Sequence, residues 1–401
     1  MTGKKAEMAQ TEIAWTDTCW NVVKGCKRVS PGCGGGLKGP DGGQGGCYAE
    51  TMAARLVRMG GYEWGKFEND GWQEDPQKKW TPASRATADK YKDLVRVNRH
   101  GKAQWTGVFA FDAEKLREPL SWRARRLVFA NSMSDLFGEG LTNEQIAAVF
   151  AVMAASTSTF QLLTKRTERM LKWFRWFKRE SDRSGLTCFG FLASHAHALG
   201  VPAATEPLLQ PAYGGETWPL PNVWLGVSCE RQQEADERIP LLLKCPAAVR
   251  WVSAEPLLGR VNFRMIGSDG QRAYDAMTGH LRADDGTALD AGGGERLDWI
   301  VWGGESGNGA RPCNVDWIRR GVEDCQETGV PAFVKQLGAY PREFNFDMGS
   351  EYGGADSSGF YRADLKDKKG ADPMEWPEDL RVRAWPRGFV PPKKKSLPVV
   401  A

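Results

Sequence analysis

The chain has 401 residues, enough to bury a full core as one large domain or two smaller ones. Hydrophobic residues make up 41% and charged residues 26%, the balance of an ordinary globular protein, and no uncharged apolar run is long enough to span a membrane. The formal net charge of +4 does not by itself mark a nucleic-acid binder, and the opening MTGKKAEMAQTEIAW lacks the apolar core of a signal peptide. A reducing cytosol is therefore expected, where nine cysteines point to metal ligands, buried thiols or catalytic groups rather than disulfides.

The first informative segment carries Cys26, Cys33 and Cys47, with six residues between the first pair and thirteen between the second. The longer gap is glycine-rich (Gly34-Gly35-Gly36, Gly39-Pro40, Gly42-Gly43-Gln44-Gly45-Gly46) and resists regular structure, so it reads as an excursion able to return to its starting point. Three readings follow. Three thiolates with an open position suit an iron–sulfur cluster that binds a further cofactor. Cys19 as a fourth ligand would suit structural zinc, although no second closely spaced cysteine pair exists. The third reading leaves the thiols unliganded.

Residues 57–106 read as an insertion rich in Trp, Gly and Lys, with Gly107–Phe111 as a candidate early strand. From residue 127 a repeat sets in, in which a short apolar run is followed by a helical stretch. The runs are 127–131, 160–164, 223–228, 249–253, 299–303 and 331–335; several are apolar on both parities, as parallel strands buried on both faces must be. Helices are expected over 142–156, with Thr142 and Gln145 forming a capping box, and over 166–177, 230–243 and 315–328. Residues 181–222, with His195 and His197, and 264–296 read as further insertions; 264–296 resembles a surface hairpin. The division is thus a catalytic unit over 1–338 and a C-terminal extension over 339–401. The alternation predicts an α/β fold, a partial or complete TIM-like (β/α) barrel, with a doubly wound sheet as the alternative.

The segment Lys165–Arg179 interleaves basic residues with Trp173, Phe174, Trp176 and Phe177. Such a mixture could contact nucleic acid, or be an amphipathic helix with its aromatics in the core. Lys393-Lys394-Lys395 reads as a solvated run. Ser132, Asp135, Lys165, Ser228, Glu230, Glu255, Arg311 and Lys335 fall at expected strand ends, where each suits a ligand contact or a structural ion pair. Cys188, Cys229, Cys245, Cys313 and Cys325 read as packed thiols.

Taken in order, Glu12-Ile-Ala-Trp15-Thr16-Asp17, Trp20-Asn21, Gly25-Cys26, Ser30-Pro31-Gly32-Cys33 and Cys47-Tyr48-Ala49-Glu50 resemble a family of radical-SAM-like phage and prophage proteins with a three-cysteine motif. Asn131–Phe137, Leu163–Arg166, Trp224–Ser228, Ser253–Gly259, Trp302–Pro312 and Val334–Gly338 extend the resemblance over most of the chain. In that family two residues usually separate the last two cysteines, so this chain carries an insertion of eleven. The resemblance implies a radical-SAM type barrel, a 4Fe-4S cluster on Cys26, Cys33 and Cys47, and S-adenosyl-L-methionine as cofactor. Its carriers would come from Gly303, Gly304, Glu305, Ser132, Ser228 and Glu255, with Gly303-Gly304-Glu305 similar to the signature that holds the methionyl amino group.

It further implies an isomerase that converts N-linked to C-linked glycinyl-thymidine in phage DNA. That step belongs to hypermodification shielding viral DNA from restriction, and it needs an electron donor. A radical-SAM lyase repairing DNA lesions and a non-catalytic zinc-containing nucleic-acid-binding protein are the alternatives. No membrane partner is expected.

Overall fold

A computed structural model describes residues 11–34, 45–65, 71–202, 218–283, 285–344, 360–362 and 365–391. Its centre is a seven-stranded, all-parallel sheet: β1 (Thr18–Trp20), β2 (Leu127–Ala130), β3 (Thr159–Thr164), β4 (Val223–Ser228), β5 (Val249–Ala254), β6 (Trp299–Gly303) and β7 (Ala332–Gln336). Spatial order equals chain order, which is barrel topology and rules out the doubly wound alternative. The sheet is also curled. Trp15, which precedes β1, lies 5.2 Å by ring centroid from Trp251 on β5, whereas a flat sheet would hold those strands about 19 Å apart.

The six runs from residue 127 are all strands of this sheet. The first strand is not Gly107–Phe111. Ala110–Phe111 pairs antiparallel with Val23–Lys24 outside the main sheet, and the edge position belongs to Thr18–Trp20, just before the cysteine segment. Such a short strand shows no period-2 pattern.

Strand parity divides the core. Val128, Phe160, Leu225, Val252, Ile300 and Val334 face the outer helices. Phe129, Gln161, Trp224, Trp251, Trp299 and Phe333 face the concave side, where Trp15, Trp385 and Phe389 join them in an aromatic floor. Helix α1 (Tyr48–Met59) follows the cysteine segment. The outer layer is α2 (Asn143–Ala155), α3 (Thr167–Ser184), α4 (Cys188–Ala198), α5 (Gln232–Leu243) and α6 (Val315–Thr328). The α2 N-terminus carries the expected capping box, Thr142 with Gln145. Gly329, at φ +67°, ends α6 in the left-handed conformation that glycine adopts without a Cβ clash.

The inserted segments are largely structured. Helix α1, Pro82–Asp89 and two hairpins share a small core of Ala53, Val57, Tyr62, Ala88, Tyr91, Val95 and Trp105. The segment 264–296 contains the expected hairpin, Arg272–Asp275 against His280–Ala283. His195 and His197 lie on helix α4, not on a loose loop. His195 meets Phe191 edge to face at 4.6 Å, and burial lowers its pKa. Within the extension, Ala384 N–H donates to Ala332 O and Val334 N–H to Val382 O, so residues 382–384 cover the free edge of β7. No helix among the described residues is long and apolar enough to cross a membrane. Lys393-Lys394-Lys395 lies outside the described residues.

Candidate active site at the strand C-termini

The cysteine segment crosses the C-terminal mouth of the curled sheet and is tied to several strand ends. Gly25, at φ +78°, sets its entry: its backbone bridges to Ser134, and a Cβ there would meet Val108 O at 2.1 Å. Lys27 O accepts from Arg166 Nη2 at 2.6 Å, beyond β3. Ser30 Oγ donates to Glu230 at 2.9 Å, beyond β4, and Pro31 O accepts from Arg311 Nη1 at 2.7 Å, beyond β6. On the return, Gly45 N–H donates to Gly309 O at 3.2 Å and Gly46 N–H to Glu305 at 3.4 Å. Cys47 is the N-cap residue of α1.

The excursion is closed at its base. A Cβ built on Gly34 would stand 3.1 Å from the Cα of Gly46. Cys33-Gly34 and Gly46-Cys47 therefore lie side by side, with the positions 35–44 between them outside the described residues. The backbone thus returns to meet itself at Gly34 and Gly46.

Cys26 and Cys47 both pack against the small α1 core. Burial pushes the Cys26 thiol up to about 12; Asp135 adds to this and Arg166, 3.7 Å from the sulfur, opposes it. Burial also raises Cys47, with the Glu50 charge adding. Cys33 and Cys47 each bear electrostatically on Cys26, so the three thiols share one region. Among the described residues no three His, Cys, Asp or Glu side chains are close enough to hold a single metal ion. A 4Fe-4S cluster takes each thiolate on a different iron and so accepts ligands set farther apart. Arg28, Arg166 and Lys165 stand beside the thiols and would offset the negative charge of a thiolate-bound group. Cys26, Cys33 and Cys47 thus share the mouth region, but among the described residues they do not form an evident cluster-binding group. Cys19 is not part of this loop; it sits on the concave parity of β1, opposite Phe129 in register. Cys229, Cys245, Cys313 and Cys325 are buried and Cys188 is partly buried.

A set of ion pairs frames the mouth. Asp135 accepts from Thr164 Oγ1 at 2.8 Å, Lys165 N at 3.2 Å and Arg166 Nη1 at 3.0 Å. Glu230 is fully buried and held by Lys165 Nζ at 2.8 Å and Arg238 Nη1 at 2.9 Å. Burial would raise its pKa, but these two cations and the Ser30 hydroxyl outweigh it and bring the carboxyl to about 2. Glu255 pairs with Lys335 at 2.5 Å and accepts from Gln336 Nε2 at 3.3 Å. Glu305 accepts from Arg311 through Nε, Nη2 and the backbone N–H, each at 2.8 Å. Every charged residue expected at a strand end thus has an ionic partner, and these pairs build the walls of the mouth. The two glycines before Glu305 allow close approach of β6 and β7, since a Cβ on Gly304 would lie 2.2 Å from Leu337 O; Gly303 faces the Glu255 side chain. Ser132 Oγ donates to Asn21 at 3.2 Å, and Ser228 sits buried on the concave parity of β4.

Several participants escape sequence reasoning. Asn131 has a φ of 61° and is the one non-glycine residue with positive φ among those described; its Oδ1 accepts from Val23 N–H at 3.0 Å and locks β2 to the cysteine segment. Arg28 chelates the buried Glu50, which also accepts from Trp105 N–H at 3.0 Å. Asn and Asp tolerate the left-handed region, which is the only signal Asn131 offers from sequence. On α3, Trp173, Phe174 and Phe177 are buried in the core and Lys172, Arg175, Lys178 and Arg179 face outward, as an amphipathic helix requires.

One family model, described as "Protein of unknown function (DUF5131)", matches residues 10–364. No curated protein and no solved structure matches the chain.

Proposed function

The chain belongs to the DUF5131 family, and for it we propose a radical-SAM enzyme whose cluster is held by Cys26, Cys33 and Cys47. The observation that carries this reading is the closed base of the excursion. It brings the backbone at Gly34 back beside Gly46, one residue from Cys33 and Cys47 respectively, at the mouth of a curled parallel sheet, and this supports the reading. Catalytic groups of such sheets gather at that end. Held there by Cys26, Cys33 and Cys47, a 4Fe-4S cluster would supply one-electron reduction of S-adenosyl-L-methionine and so radical hydrogen-abstraction chemistry.

The protein's own residues have four tasks. The ties from Arg166, Glu230, Arg311 and Glu305 fix the cysteine segment over the sheet. Ser132, Ser228, Gly303, Gly304 and Glu255 line strand ends from which S-adenosyl-L-methionine would be contacted. The Glu305 carboxylate is engaged by Arg311, so its main task is to hold the 305–311 loop against Gly46. The aromatic floor closes the far end of the concave face to water.

The specific reaction we assign is rearrangement of N-linked to C-linked glycinyl-thymidine in phage DNA. It is balanced without a net oxidant: the bond from the thymine methylene to nitrogen breaks, a bond to the glycine α-carbon forms, the α-carbon loses one hydrogen and the nitrogen gains one. An electron donor is needed to prime the cluster.

Anaerobic reconstitution tests the reading. Iron and sulfide should be incorporated, and reduction in the presence of S-adenosyl-L-methionine should release 5′-deoxyadenosine. Cys33→Ala should abolish that release and Cys19→Ala should not. A purified protein with one zinc and no iron or sulfide would point to a non-catalytic metal protein. Wholly unmodified thymidine in the genomic DNA of the source virus would remove the isomerase assignment.

A further inference from the structure

We propose that the two-stranded ribbon of Val95–Val97 and Ala103–Trp105, beside the cysteine segment, holds duplex DNA by entering its major groove. This deepens the DNA-directed reading above and rests on it for the choice of DNA as the occupant.

The ribbon has two unlike faces. Val95, Trp105 and Ala103 pack into the small α1 core, while Arg96, opposite Gln104 in register, lies on the other face and is exposed. The turn adds Arg99, His100 and Lys102, all exposed. Asn98 fixes that turn: its N–H donates to Lys102 O at 2.9 Å, and its Oδ1 accepts from the backbone N–H groups of His100 and Lys102, each at 3.0 Å. The base of the ribbon is seated on the cysteine segment and on α1. Trp105 N–H donates to Glu50 at 3.0 Å, and a Cβ on Gly25, the residue before Cys26, would lie 3.6 Å from the Leu94 Cβ and 2.1 Å from Val108 O. Three residues of strand span only about 10 Å, so whatever the ribbon holds lies next to the mouth.

The chain's small net charge is concentrated here. Residues 94–111 contain Arg96, Arg99 and Lys102 and no Asp or Glu, a net +3 against +4 for the whole chain. The preceding stretch, 48–93, is balanced, with eight Lys and Arg against eight Asp and Glu. The acids on the elements around the ribbon are mostly engaged: Glu50 by Arg28, Glu63 by Arg58 and Lys78, Glu74 by Arg85, Asp89 by Lys92, Asp112 by Lys24 and Lys90, and Glu114 by Lys90. Asp75 and Asp93 have no ionic partner among the described residues, but neither do Arg55 and Lys79, which equal them in charge. Arg96, Arg99 and Lys102 likewise have none, so the outward face of the ribbon is positive and suits a polyanion. Shape narrows the choice. The major groove admits a two-stranded ribbon, Arg and Gln pair with guanine and adenine edges there, and cations along the ribbon neutralise the flanking phosphates. The outward basic face of α3 is the competing surface, but Lys172 and Lys178 already have i,i+4 acidic partners and Arg179 pairs with Glu180.

The test is fluorescence anisotropy with a labelled duplex of about 20 base pairs, and with its single strand, from about 50 to about 200 mM salt. The wild type should bind the duplex more tightly than the strand. R96A/R99A/K102A should weaken duplex binding by roughly tenfold or more and flatten the log–log salt slope by about 2.7, at about 0.9 per phosphate contact. K172A/R175A/R179A on α3 removes the same charge and should leave both unchanged. Four results overturn the proposal: no duplex binding at the lowest salt, single-strand binding as tight as duplex binding, a ribbon variant that binds like the wild type, or an α3 variant that is equally weakened. Displacement of the label by poly-L-glutamate as readily as by unlabelled duplex also overturns it, and marks the ribbon as a site for acidic proteins. Should the triple variant not fold, R99A/K102A in the turn decides, with a slope change of about 1.8. Iron content and 5′-deoxyadenosine release without DNA are measured on the same preparations. Their failure would sink the radical-SAM reading and leave the DNA-binding result standing.

Discussion

Removing residues 35–45 joins Gly34 to Gly46 and leaves Cys33-Gly34-Gly46-Cys47. A peptide link needs the two Cα atoms about 3.8 Å apart. The 3.1 Å approach of a Gly34 Cβ to the Gly46 Cα places those Cα atoms within about 4.6 Å, so closure requires less than an ångström of adjustment in a pair of glycines. Two energies then oppose each other. Shortening the link from thirteen residues to two relieves chain-closure entropy by about 1.6 kcal/mol, at about 0.6 kcal/mol per doubling. Losing the Gly45 N–H to Gly309 O hydrogen bond costs about 1 kcal/mol. The deletion variant should therefore match the wild type to within about 1 kcal/mol in urea denaturation. It should also take up the same iron and sulfide per chain on reconstitution. A loss above about 3 kcal/mol, or a folded variant that takes up no iron while the wild type does, would show that the cysteines are not arranged as argued.

Glu230→Gln should cost about 3–5 kcal/mol in denaturant titration, because Lys165 and Arg238 would be left without their shared anion. The same carboxylate gives a pH signature: its folded value, about 2, lies below the ordinary 4.5, so its stabilisation is complete above about pH 4.5 and is lost as pH falls toward 2. The loss amounts to about 3 kcal/mol, and the variant's stability should lack that acid limb. Arg311→Lys breaks the fork on Glu305 and the bond to Pro31 O; a loss of about 2 kcal/mol and slower iron uptake are expected, and unchanged uptake would remove Arg311 from the support of the cysteine segment. Trp299→Ala, in the aromatic floor, should cost about 4 kcal/mol by thermal unfolding yet leave iron per folded chain unchanged.

The sheet was readable because several of its strands are apolar on both faces and recur between helical stretches. Val223–Ser228 is buried at every position, and no surface element has that composition. The α2 boundary was readable because a capping box is a local signal. Thr18–Trp20 was hidden because three residues cannot display a period, and Ala110–Phe111 looked like a strand because it is one, in another small sheet. The walls of the mouth were half-legible: position at strand ends picked out Glu230, Arg311 and Lys335, but not whom they pair with. Ser30 meets Glu230 across 200 positions and Pro31 meets Arg311 across 280, separations over which residue patterns carry no pairing information. The closed base of the excursion was equally out of reach, since glycines permit a return without specifying one.

The cover over the β7 edge has a bearing on how the chain is made. Residues 382–384 and the rings of Trp385 and Phe389 are synthesised after all seven strands that they finish. Until they emerge, the nascent protein holds a bare strand edge and an unroofed tryptophan cluster, the kind of surface on which chains stick to one another. Translation speed through the preceding segment would then set how long each polysome carries that sticky face. A ribosome stalled after β7 would display an almost complete sheet that is still unsafe to release.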